Sequence, residues 1–231
     1  MDEAGRYAIY FSPEDATALG RFGRQWLGGA DARAAVPGFS LDRLAEIIAE
    51  PRRYGFHATL KPPFALAAGT SACELAAAMA SFAAAQAAFP APPLALASIA
   101  GFWALVPSQP CPALDHLAAD CVRHFDAFRA PPSAEELAKR QRAGLTAAQE
   151  ALLARWGYPY VMDAFRFHLT LTSRLDAAEG AALKEGLAPI VAPLCRAPLV
   201  IDAISLFHEP AAGGQFRLVR RYLLGGTNGT A

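Results

Sequence analysis

The sequence predicts an α+β protein in which a duplicated unit forms two antiparallel sheets that face a central cleft, with helices outside. The first observation is a repeated tetrapeptide, H-x-T-L, at residues 57–60 and 168–171, each time preceded by phenylalanine. With 5 His in the chain, two such matches are expected in about two of ten thousand shuffled sequences. The second observation is that each motif is followed by a helical segment and then by two strand-like segments.

The first half opens at Arg6 with aromatic and β-branched residues that predict a strand as far as Phe11. Ser12 and Pro13 predict the start of a helix that runs to Leu27. Composition and chain breakers predict the other elements: a loop at 30–40, a helix at 41–50 closed by Pro51, a strand at 52–60 ended by Pro62-Pro63, a helix at 74–88, and strands at 94–100 and 102–106 joined at Gly101.

The rest of the chain continues this alternation of helices and strands. Two capping-box patterns, Ser133-x-x-Glu136 and Thr146-x-x-Gln149, predict helices at 133–142 and 146–156. The other predicted elements are a helix at 112–128, the second motif strand at 165–172, a helix at 177–191, and strands at 200–207 and 216–224. We expect a single domain over residues 1–231, with a motif-1 half at roughly 41–106, a motif-2 half at roughly 161–224 and a helical connector at roughly 107–160.

Composition and charge argue against several classes of protein. Hydrophobic residues make up 54% of the chain and charged residues 18%, which supports a folded core rather than disorder. The net charge of zero argues against a protein bound to an acidic membrane surface, or to nucleic acid beyond short oligonucleotides. The 4 Cys form no C-x-x-C pair, the N-terminus is polar, and no apolar run reaches transmembrane length. We expect a cytoplasmic monomer without a membrane partner.

The two motif strands predict the contents of the cleft, because residues i and i+2 of a strand point to the same face. On the first strand this face carries Arg53, Gly55, His57, Thr59 and Lys61. On the second strand it carries Arg166, His168, Thr170 and Thr172, with Arg174 at the strand end. If the two polar faces pack together, the cleft between them contains two imidazoles, several hydroxyls and several cations.

These side chains suit the hydrolysis of a phosphodiester. An ordinary imidazole titrates near pH 6.5, so a neutral and a protonated histidine can coexist near neutrality. The neutral ring of one can take a proton from water, and the protonated ring of the other can donate one to the departing alkoxide. Hydroxyls can donate to phosphoryl oxygens, and Lys61, Arg53 or Arg166 can balance the charge that develops there. No metal or other cofactor is expected, because this chemistry requires none and the sequence offers no good metal cage.

Paired H-x-[ST]-φ motifs on strands of two similar lobes resemble the two-histidine (2H) phosphoesterase superfamily, which includes cyclic phosphodiesterases and RNA 2′-5′ ligase-like proteins. The wider blocks resemble a branch associated with operons for phosphonate breakdown: residues 53–64 (RYGFHATLKPPF), 156–161 (WGYPYV) and 165–172 (FRFHLTLT). The resemblance covers essentially the whole chain. It implies a bilobal, pseudo-twofold fold with a metal-independent site, whose catalytic residues are His57, Thr59, His168 and Thr170.

Other residues are candidates for substrate binding on different grounds. Strand geometry and charge point to Lys61, Arg166 and Tyr54, while Thr172 shares the face of His168. Tyr160 belongs to a Gly-Tyr-Pro-Tyr segment whose rings can line the cleft and stack on a base or sugar, or equally well anchor the core or the loop. Structural roles compete with each of these. Lys61 precedes Pro-Pro and fits a solvated strand end equally well, and both threonines of the motifs are good strand formers.

The leading hypothesis is a metal-independent phosphoesterase for a small cyclic phosphodiester, with His57 and His168 as general acid and base in an undecided order. The resemblance makes a ribose cyclic phosphate from phosphonate breakdown an attractive substrate. One alternative is an RNA-end cyclic phosphodiesterase or 2′-5′ ligase-like protein, which predicts salt-sensitive oligonucleotide binding. Another is a non-catalytic phosphoester-binding protein, which predicts tight binding without turnover.

Overall fold

The computed structural model describes residues 5–28, 35–133, 137–138, 140, 142 and 144–225. The helices are α1 (Ala18–Leu27), α2 (Leu41–Ile47), α3 (Ala49–Tyr54), α4 (Ala72–Ala85), α5 (Pro112–His124), α6 (Ala147–Trp156) and α7 (Ala177–Val191). The strands are β1 (Arg6–Phe11), β2 (Ala58–Phe64), β3 (Phe89–Ile99), β4 (Phe102–Pro107), β5 (Leu169–Thr170), β6 (Pro198–Ile201), β7 (Ala203–Glu209) and β8 (Arg217–Leu223).

The strands form two four-stranded sheets in which every pairing is antiparallel. The first sheet has the order β2-β1-β7-β8, and the second has the order β5-β4-β3-β6. The predicted α+β class with two antiparallel sheets is therefore confirmed. The motif strands β2 and β5 occupy equivalent positions, because each is an edge strand of its sheet.

The sheets do not follow the contiguous halves that the sequence suggested at 41–106 and 161–224. The first sheet pairs β1 and β2 with the last two strands of the chain, and the second pairs β3 and β4 with β5 and β6. Helix α4 packs on β7 and β8, whereas α7 packs on β4. The reason is that local periodicity predicts strands but carries no information about which distant strand pairs with which.

Strand β1 is buried on both faces, so side chains pack against both sides of the first sheet at this strand. Tyr7, Ile9 and Phe11 contribute to the main core beneath the helices. Ala8 and Tyr10 point the other way, into a smaller aromatic cluster with Phe207 and Phe216. The cleft-facing side of this sheet is thus mainly apolar in its centre. Its polar side chains lie on the edge strand.

Several element boundaries differ from the sequence prediction. Helix α1 begins at Ala18 after Thr17, whose hydroxyl accepts the Gly20 amide, and does not begin at Ser12. The predicted helix at 41–50 is two short helices, and Pro51 lies in the first turn of α3, where a missing N–H costs nothing. Part of the predicted helix at 133–142 lies outside the described residues.

The two motif strands also differ from their prediction. Strand β2 begins only after His57 and continues through Pro62 and Pro63, which an edge strand tolerates because one side of it donates no hydrogen bonds. Strand β5 is reduced to two residues. Each motif histidine therefore lies immediately before its strand, at the edge of its sheet.

The β3–β4 turn, the capping box at Thr146 and helix α7 agree with the prediction, whereas α5 ends at His124 and not at residue 128. Ala100 and Gly101 join β3 to β4 with positive φ angles of 47° and 91°, as a tight two-residue turn requires. Thr146 and Gln149 form the predicted capping box, and α7 has the predicted bounds. Of the helices in the described part of the chain, none is long and apolar enough to span a membrane.

Candidate active site

A cleft of about 840 Å³ lies between the two sheets. Its wall includes Tyr10 of β1, Thr59 of β2, Phe102 of β4 and Thr170 of β5, so both sheets contribute to it. His57 also lines this cleft. A volume of this size accommodates a ligand as large as a typical drug molecule.

His57 is held in one tautomer by its own backbone. Its Nδ1 donates to the carbonyl oxygen of Gly55 at 2.8 Å, and a carbonyl can only accept. In the neutral ring Nε2 therefore carries the lone pair, and the Thr59 hydroxyl lies 3.2 Å from it as a donor. Gly55 has a φ of +74°, a conformation that favours glycine, and this aims its carbonyl at the ring.

His168 repeats the backbone half of this arrangement. Its Nδ1 donates to the carbonyl oxygen of Arg166 at 2.7 Å, two residues back, as His57 does to Gly55. The Phe102 ring lies 5.7 Å from the imidazole, at an interplanar angle of 48°. Both motif histidines thus have Nδ1 engaged by the backbone and Nε2 left for chemistry.

Burial lowers the pKa of both histidines. For His57 burial is the main cause and lowers the pKa to about 4. The hydrogen bond to Gly55 opposes this, and charge on His168 lowers the pKa further. For His168 burial again lowers the pKa from its ordinary 6.5, against the hydrogen bond to Arg166. Burial thus favours the neutral form of both rings.

Tyr10 is the closest aromatic neighbour of the site, and the sequence did not single it out. Its ring stacks on the His57 imidazole with centroids 3.8 Å apart and an interplanar angle of 27°. It is only 1% exposed, and burial raises its pKa well above 10. Tyr10 lies directly opposite Thr59 in the β1–β2 pairing, a register that the sequence does not reveal.

A buried ion pair supports the segment that leads into the first motif. The Glu209 carboxylate is completely buried and accepts from Arg6 at 2.6 Å and from Arg53 at 2.5 Å. Arg53 also donates to the Gly214 carbonyl at 2.8 Å. Burial alone would raise the pKa of Glu209, but the hydrogen bonds from the two guanidinium groups outweigh it and lower the pKa. This Arg6–Glu209–Arg53 bridge ties α3 to β1, to β7 and to the turn before β8.

The three candidate threonines occupy different environments. Thr59 and Thr170 are half-buried in the cleft wall. Thr172 also borders the cleft but is 1% exposed, and its hydroxyl accepts the Trp103 amide at 2.9 Å. That contact joins the second motif to β4 and gives the Thr172 hydroxyl a structural function. Substrate binding by the same hydroxyl stays a prediction.

The structure corrects the prediction for Lys61. Its side chain is buried away from the cleft, with Nζ 3.2 Å from the Val122 carbonyl and 3.5 Å from Asp126. The cause is a β-bulge. Tyr10 lies opposite Thr59 but Ile9 lies opposite Lys61, so β2 has one extra residue and its alternation reverses. Burial lowers the pKa of Lys61 to about 8.

The other predicted substrate-binding residues are only partly brought together. Tyr54 lines the cleft, with its ring 6.2 Å from His57 and stacked on Phe216 at 5.3 Å. Tyr160 lines it as well and is 46% exposed. Arg166 is exposed and is not among the residues of the cleft wall, although its carbonyl orients His168. The substrate roles of Tyr54 and Tyr160 stay predictions.

Two arginines of the cleft wall were missed or set aside by sequence reasoning. Arg140 lies over the Tyr158 ring, with its Cζ 4.6 Å from the ring centroid. Arg174, at the end of the predicted second motif strand, lines the cleft too but was not among the predicted substrate-binding residues. Only the tertiary fold brings the connector that carries Arg140 to the motif strands.

The remaining histidines lie away from this constellation. His116 is exposed on α5. The ring centroid of His124 lies 5.0 Å from that of Phe82, and the ring of His208 stacks on Tyr7 with centroids 4.5 Å apart. Within the described ranges, no group of three or more His, Cys, Asp or Glu side chains is arranged to hold a metal ion.

Among solved structures, the fold is similar to two structures of E. coli LigT, one complexed with 3′-AMP and one with NADP+. The first has a TM-score of 0.40 at 16% identity and covers 95% of this chain and 98% of that chain. The second has a TM-score of 0.42 at 16% identity and covers 96% of this chain and 99% of that chain.

Two curated relatives bear the name ribose 1,5-bisphosphate phosphokinase PhnN. The protein of Janthinobacterium sp. (strain Marseille) is 39% identical over 221 residues, which are 91% of this chain and 49% of that protein. The protein of Laribacter hongkongensis (strain HLHK9) is 36% identical over 219 residues, which are 93% of this chain and 51% of that protein. The chain thus spans about half the length of these relatives.

A family model described as a protein of unknown function, DUF1045, matches residues 59–217. This range contains Thr59 of the first motif, the whole connector and the entire second motif. Since the match extends over more than half of the chain, the chain belongs to the DUF1045 family.

Proposed function

We propose that the protein is a phosphoesterase that hydrolyses a small cyclic phosphodiester by general acid–base catalysis with two histidines. The observation that carries this proposal is the paired imidazole geometry. Each motif histidine donates its Nδ1 proton to the carbonyl two residues earlier and keeps Nε2 for the substrate. A protein that only bound a phosphoester would need hydrogen-bond donors, but not two titratable rings held in one tautomer.

The environments of the two rings favour one assignment of roles. His57 is stacked under Tyr10 and has the pKa of about 4, so it is the ring that stays neutral and acts as general base. Its Nε2 would take a proton from water while the water oxygen forms its bond to phosphorus. The Thr59 hydroxyl, now 3.2 Å from Nε2, would turn toward a phosphoryl oxygen.

His168 is the corresponding general acid. A bound phosphodiester anion favours the imidazolium form of a nearby histidine, so substrate binding would raise the pKa of His168 toward neutrality. Its Nε2–H would protonate the departing alkoxide as the second phosphorus–oxygen bond breaks. The product is a phosphomonoester with a free hydroxyl, and Thr170 would donate to its phosphoryl oxygens.

A ribose cyclic phosphate is the substrate class that we favour. The curated relatives are named for a kinase of ribose 1,5-bisphosphate, but they are about twice as long as this chain. The 231 residues contain no Gly-Lys pair and hence no G-x-x-x-x-G-K-[ST] phosphate loop. We therefore do not extend the kinase activity to this chain, and infer only that its substrate is a related ribose phosphate, such as a 1,2-cyclic phosphate.

The exposed Tyr160 supports a second candidate, an RNA-end cyclic phosphodiesterase or 2′-5′ ligase-like activity. Its ring borders the cleft and is 46% exposed, which suits stacking on a nucleobase. This function predicts a preference for nucleoside 2′,3′-cyclic phosphates and short oligonucleotides over sugar phosphates.

Turnover of a panel of cyclic phosphates in the presence of EDTA tests the proposal. The panel contains ribose 1,2-cyclic, nucleoside 2′,3′-cyclic and ADP-ribose 1″,2″-cyclic phosphates. We expect EDTA-resistant hydrolysis that falls by roughly 10²–10⁴-fold in His57→Ala and in His168→Ala. His116→Ala, at an exposed position on α5, is the matched control and should keep full activity. Ligand binding without turnover, unchanged in both motif variants, would instead identify a binding protein.

A further inference from the structure

The cleft contains more cationic groups than the chemistry of one phosphodiester uses. Its wall includes Arg6, Arg140 and Arg174, and Glu50 is the acidic residue among its described lining residues. The protein as a whole is neutral, with 21 basic and 21 acidic residues. A local excess of arginine in a neutral protein points to an anionic ligand at this place.

Arg6 does not contribute to this excess, because it pairs with the buried carboxylate of Glu209 at 2.6 Å. Arg140 and Arg174 differ from it. None of the ion pairs found between described residues involves either of them. No described carboxylate therefore neutralises the charge of either guanidinium, and the planar donor fork of arginine matches the oxygens of a phosphate.

Arg174 stands on a firmly held piece of backbone. The amide before it, of Ser173, donates to the Ile47 carbonyl at 2.7 Å, and the amide after it, of Leu175, donates to the Gly101 carbonyl at 2.8 Å. These bonds connect the end of the second motif to α2 and to the β3–β4 turn. A side chain on such a segment starts from a defined position, which is what a binding subsite needs.

Arg140 is held by an aromatic partner. Its guanidinium lies 4.6 Å over the Tyr158 ring, and Tyr158 meets Tyr160 in an edge contact with centroids 5.7 Å apart. Burial raises the pKa of Tyr158, and the positive charge of Arg140 offsets part of that rise. A side-chain hydrogen bond between Arg140 and Tyr158 also lowers the pKa of that phenol. It engages part of the five-donor fork of the guanidinium and leaves the other N–H groups for a ligand.

We propose that Arg140 and Arg174 form a second anion subsite, which binds a terminal phosphomonoester on the same substrate whose cyclic phosphodiester the histidines cleave. This inference rests on the proposed function and narrows it to cyclic phosphates that carry a second phosphate. The cleft volume of about 840 Å³ exceeds what a ribose ring with one cyclic phosphate requires. The scissile group is already served by two imidazoles and two threonine hydroxyls, so the arginines act elsewhere on the substrate.

A matched pair of substrates tests the subsite: ribose 1,2-cyclic phosphate with and without a 5-phosphate. We expect the wild-type protein to prefer the 5-phosphorylated compound in kcat/KM by at least ~10-fold, since hydrogen bonds to charged groups are among the strong ones. Arg140→Gln and Arg174→Gln should each lower kcat/KM for that compound by roughly 10–100-fold and change the other by less than about 2-fold. Arg123→Gln, an exposed arginine paired with Asp120 on α5, is the control and should change neither.

A binding measurement separates failure of the subsite from failure of the proposed function. Calorimetry with ribose 5-phosphate, compared with ribose, needs no turnover and is performed on the wild-type protein and both arginine variants. If no cyclic phosphate is hydrolysed but ribose 5-phosphate binding weakens in both variants, the subsite stands and the proposed function falls. If the wild-type protein binds ribose and ribose 5-phosphate equally, or the variants bind like wild type, the subsite is overturned. A clear preference for unphosphorylated nucleoside 2′,3′-cyclic phosphates overturns it too.

Discussion

The two motif histidines share a backbone anchor but differ in what surrounds their rings. Both donate Nδ1–H to a carbonyl two residues earlier. Only His57 also has a stacked phenol on its face and a threonine hydroxyl at Nε2. His168 meets Phe102 at a tilted angle instead. A pseudo-symmetric pair thus becomes chemically unequal, which is what an acid and a base at one phosphorus atom require.

These surroundings predict an acidic optimum for kcat/KM, which reports the ionisation of the free enzyme. His57 must be neutral to act as the base, so activity is lost as the pH falls through its pKa of about 4. His168 must be protonated to act as the acid, so activity is lost as the pH rises above its pKa, which burial holds below 6.5. The pH dependence of kcat/KM, measured with the best cyclic phosphate, should therefore be a bell between these limits.

The same profile on single variants assigns each side of the bell. Residual activity of His57→Ala should lack the fall at low pH, and residual activity of His168→Ala should lack the fall at higher pH. A wild-type profile that stays level from about pH 5 to about pH 9 would contradict the acid–base assignment, because neither pKa would then control the rate.

The edge strand β2 shows how one element divides its residues between the cleft and the interior. Thr59, near the start of the strand, faces the cleft. After the bulge, the Lys61 side chain points into the interior, where it lies beside Asp126. Pro62 and Pro63 continue the strand and border the cleft. The same strand therefore supplies a hydroxyl to the cleft on one side and a buried lysine to the interior on the other.

The Arg6–Glu209–Arg53 bridge is the corresponding anchor between elements, and its loss should affect both stability and catalysis. We expect Glu209→Gln to lower the free energy of unfolding by about 2 kcal/mol, which is less than for a fully buried pair because both arginines can hydrate once released. The rate should also fall, since α3 leads directly into Gly55 and His57. Urea denaturation and the kcat of the same sample measure the two effects.

The exposed pair Arg123–Asp120 provides the comparison for this prediction. Its side chains are 58% and 47% exposed, so Arg123→Gln should change the free energy of unfolding by less than about 0.5 kcal/mol. A Glu209→Gln protein as stable and active as wild type would show that the bridge is not needed. Because the pKa of Glu209 is lowered in the folded state, its contribution is present above its unfolded pKa and is lost as the pH falls through the folded pKa.

The whole molecule is interleaved, because each sheet takes two strands from the first half of the sequence and two from the second half. β1 and β2 meet β7 and β8 in the first sheet, and one continuous core joins both sheets to the helices. The Trp26 indole of α1 donates to the Leu171 carbonyl of the second motif at 2.7 Å, which links the N-terminal helix directly to the second motif. Neither half of the sequence contains a complete sheet.

This topology predicts that the two halves of the sequence cannot fold alone. Fragments 1–106 and 107–231, prepared separately, should lack cooperative thermal unfolding by circular dichroism, because each leaves two open sheet edges and half of a core. The intact chain should unfold in a single transition. A cooperative transition in either isolated fragment would show that a contiguous half is an independent unit.

The motif repeat was sufficient to predict the fold class, and of its candidate residues the structure places His57, Thr59 and Thr170 in the cleft wall. Such features are readable because they are local: the spacing of two residues that carries His and Thr to one face does not depend on the rest of the chain. Strand β1, the capping box at Thr146 and helix α7 were predictable for the same reason.

Tertiary structure alone decided the pairing of distant strands and the surroundings of the site. The bulge that removes Lys61 from the cleft, the stacking of Tyr10 on His57 and the return of Arg140 to the motif strands each depend on contacts between segments far apart in sequence. The free energy of such contacts comes from the burial of side chains and the pairing of strands across the core. The local periodicity of the sequence does not reveal which distant segments make these contacts. The amino-acid sequence therefore identifies the candidate groups, while the fold decides which of them lie close together and what charge their surroundings favour.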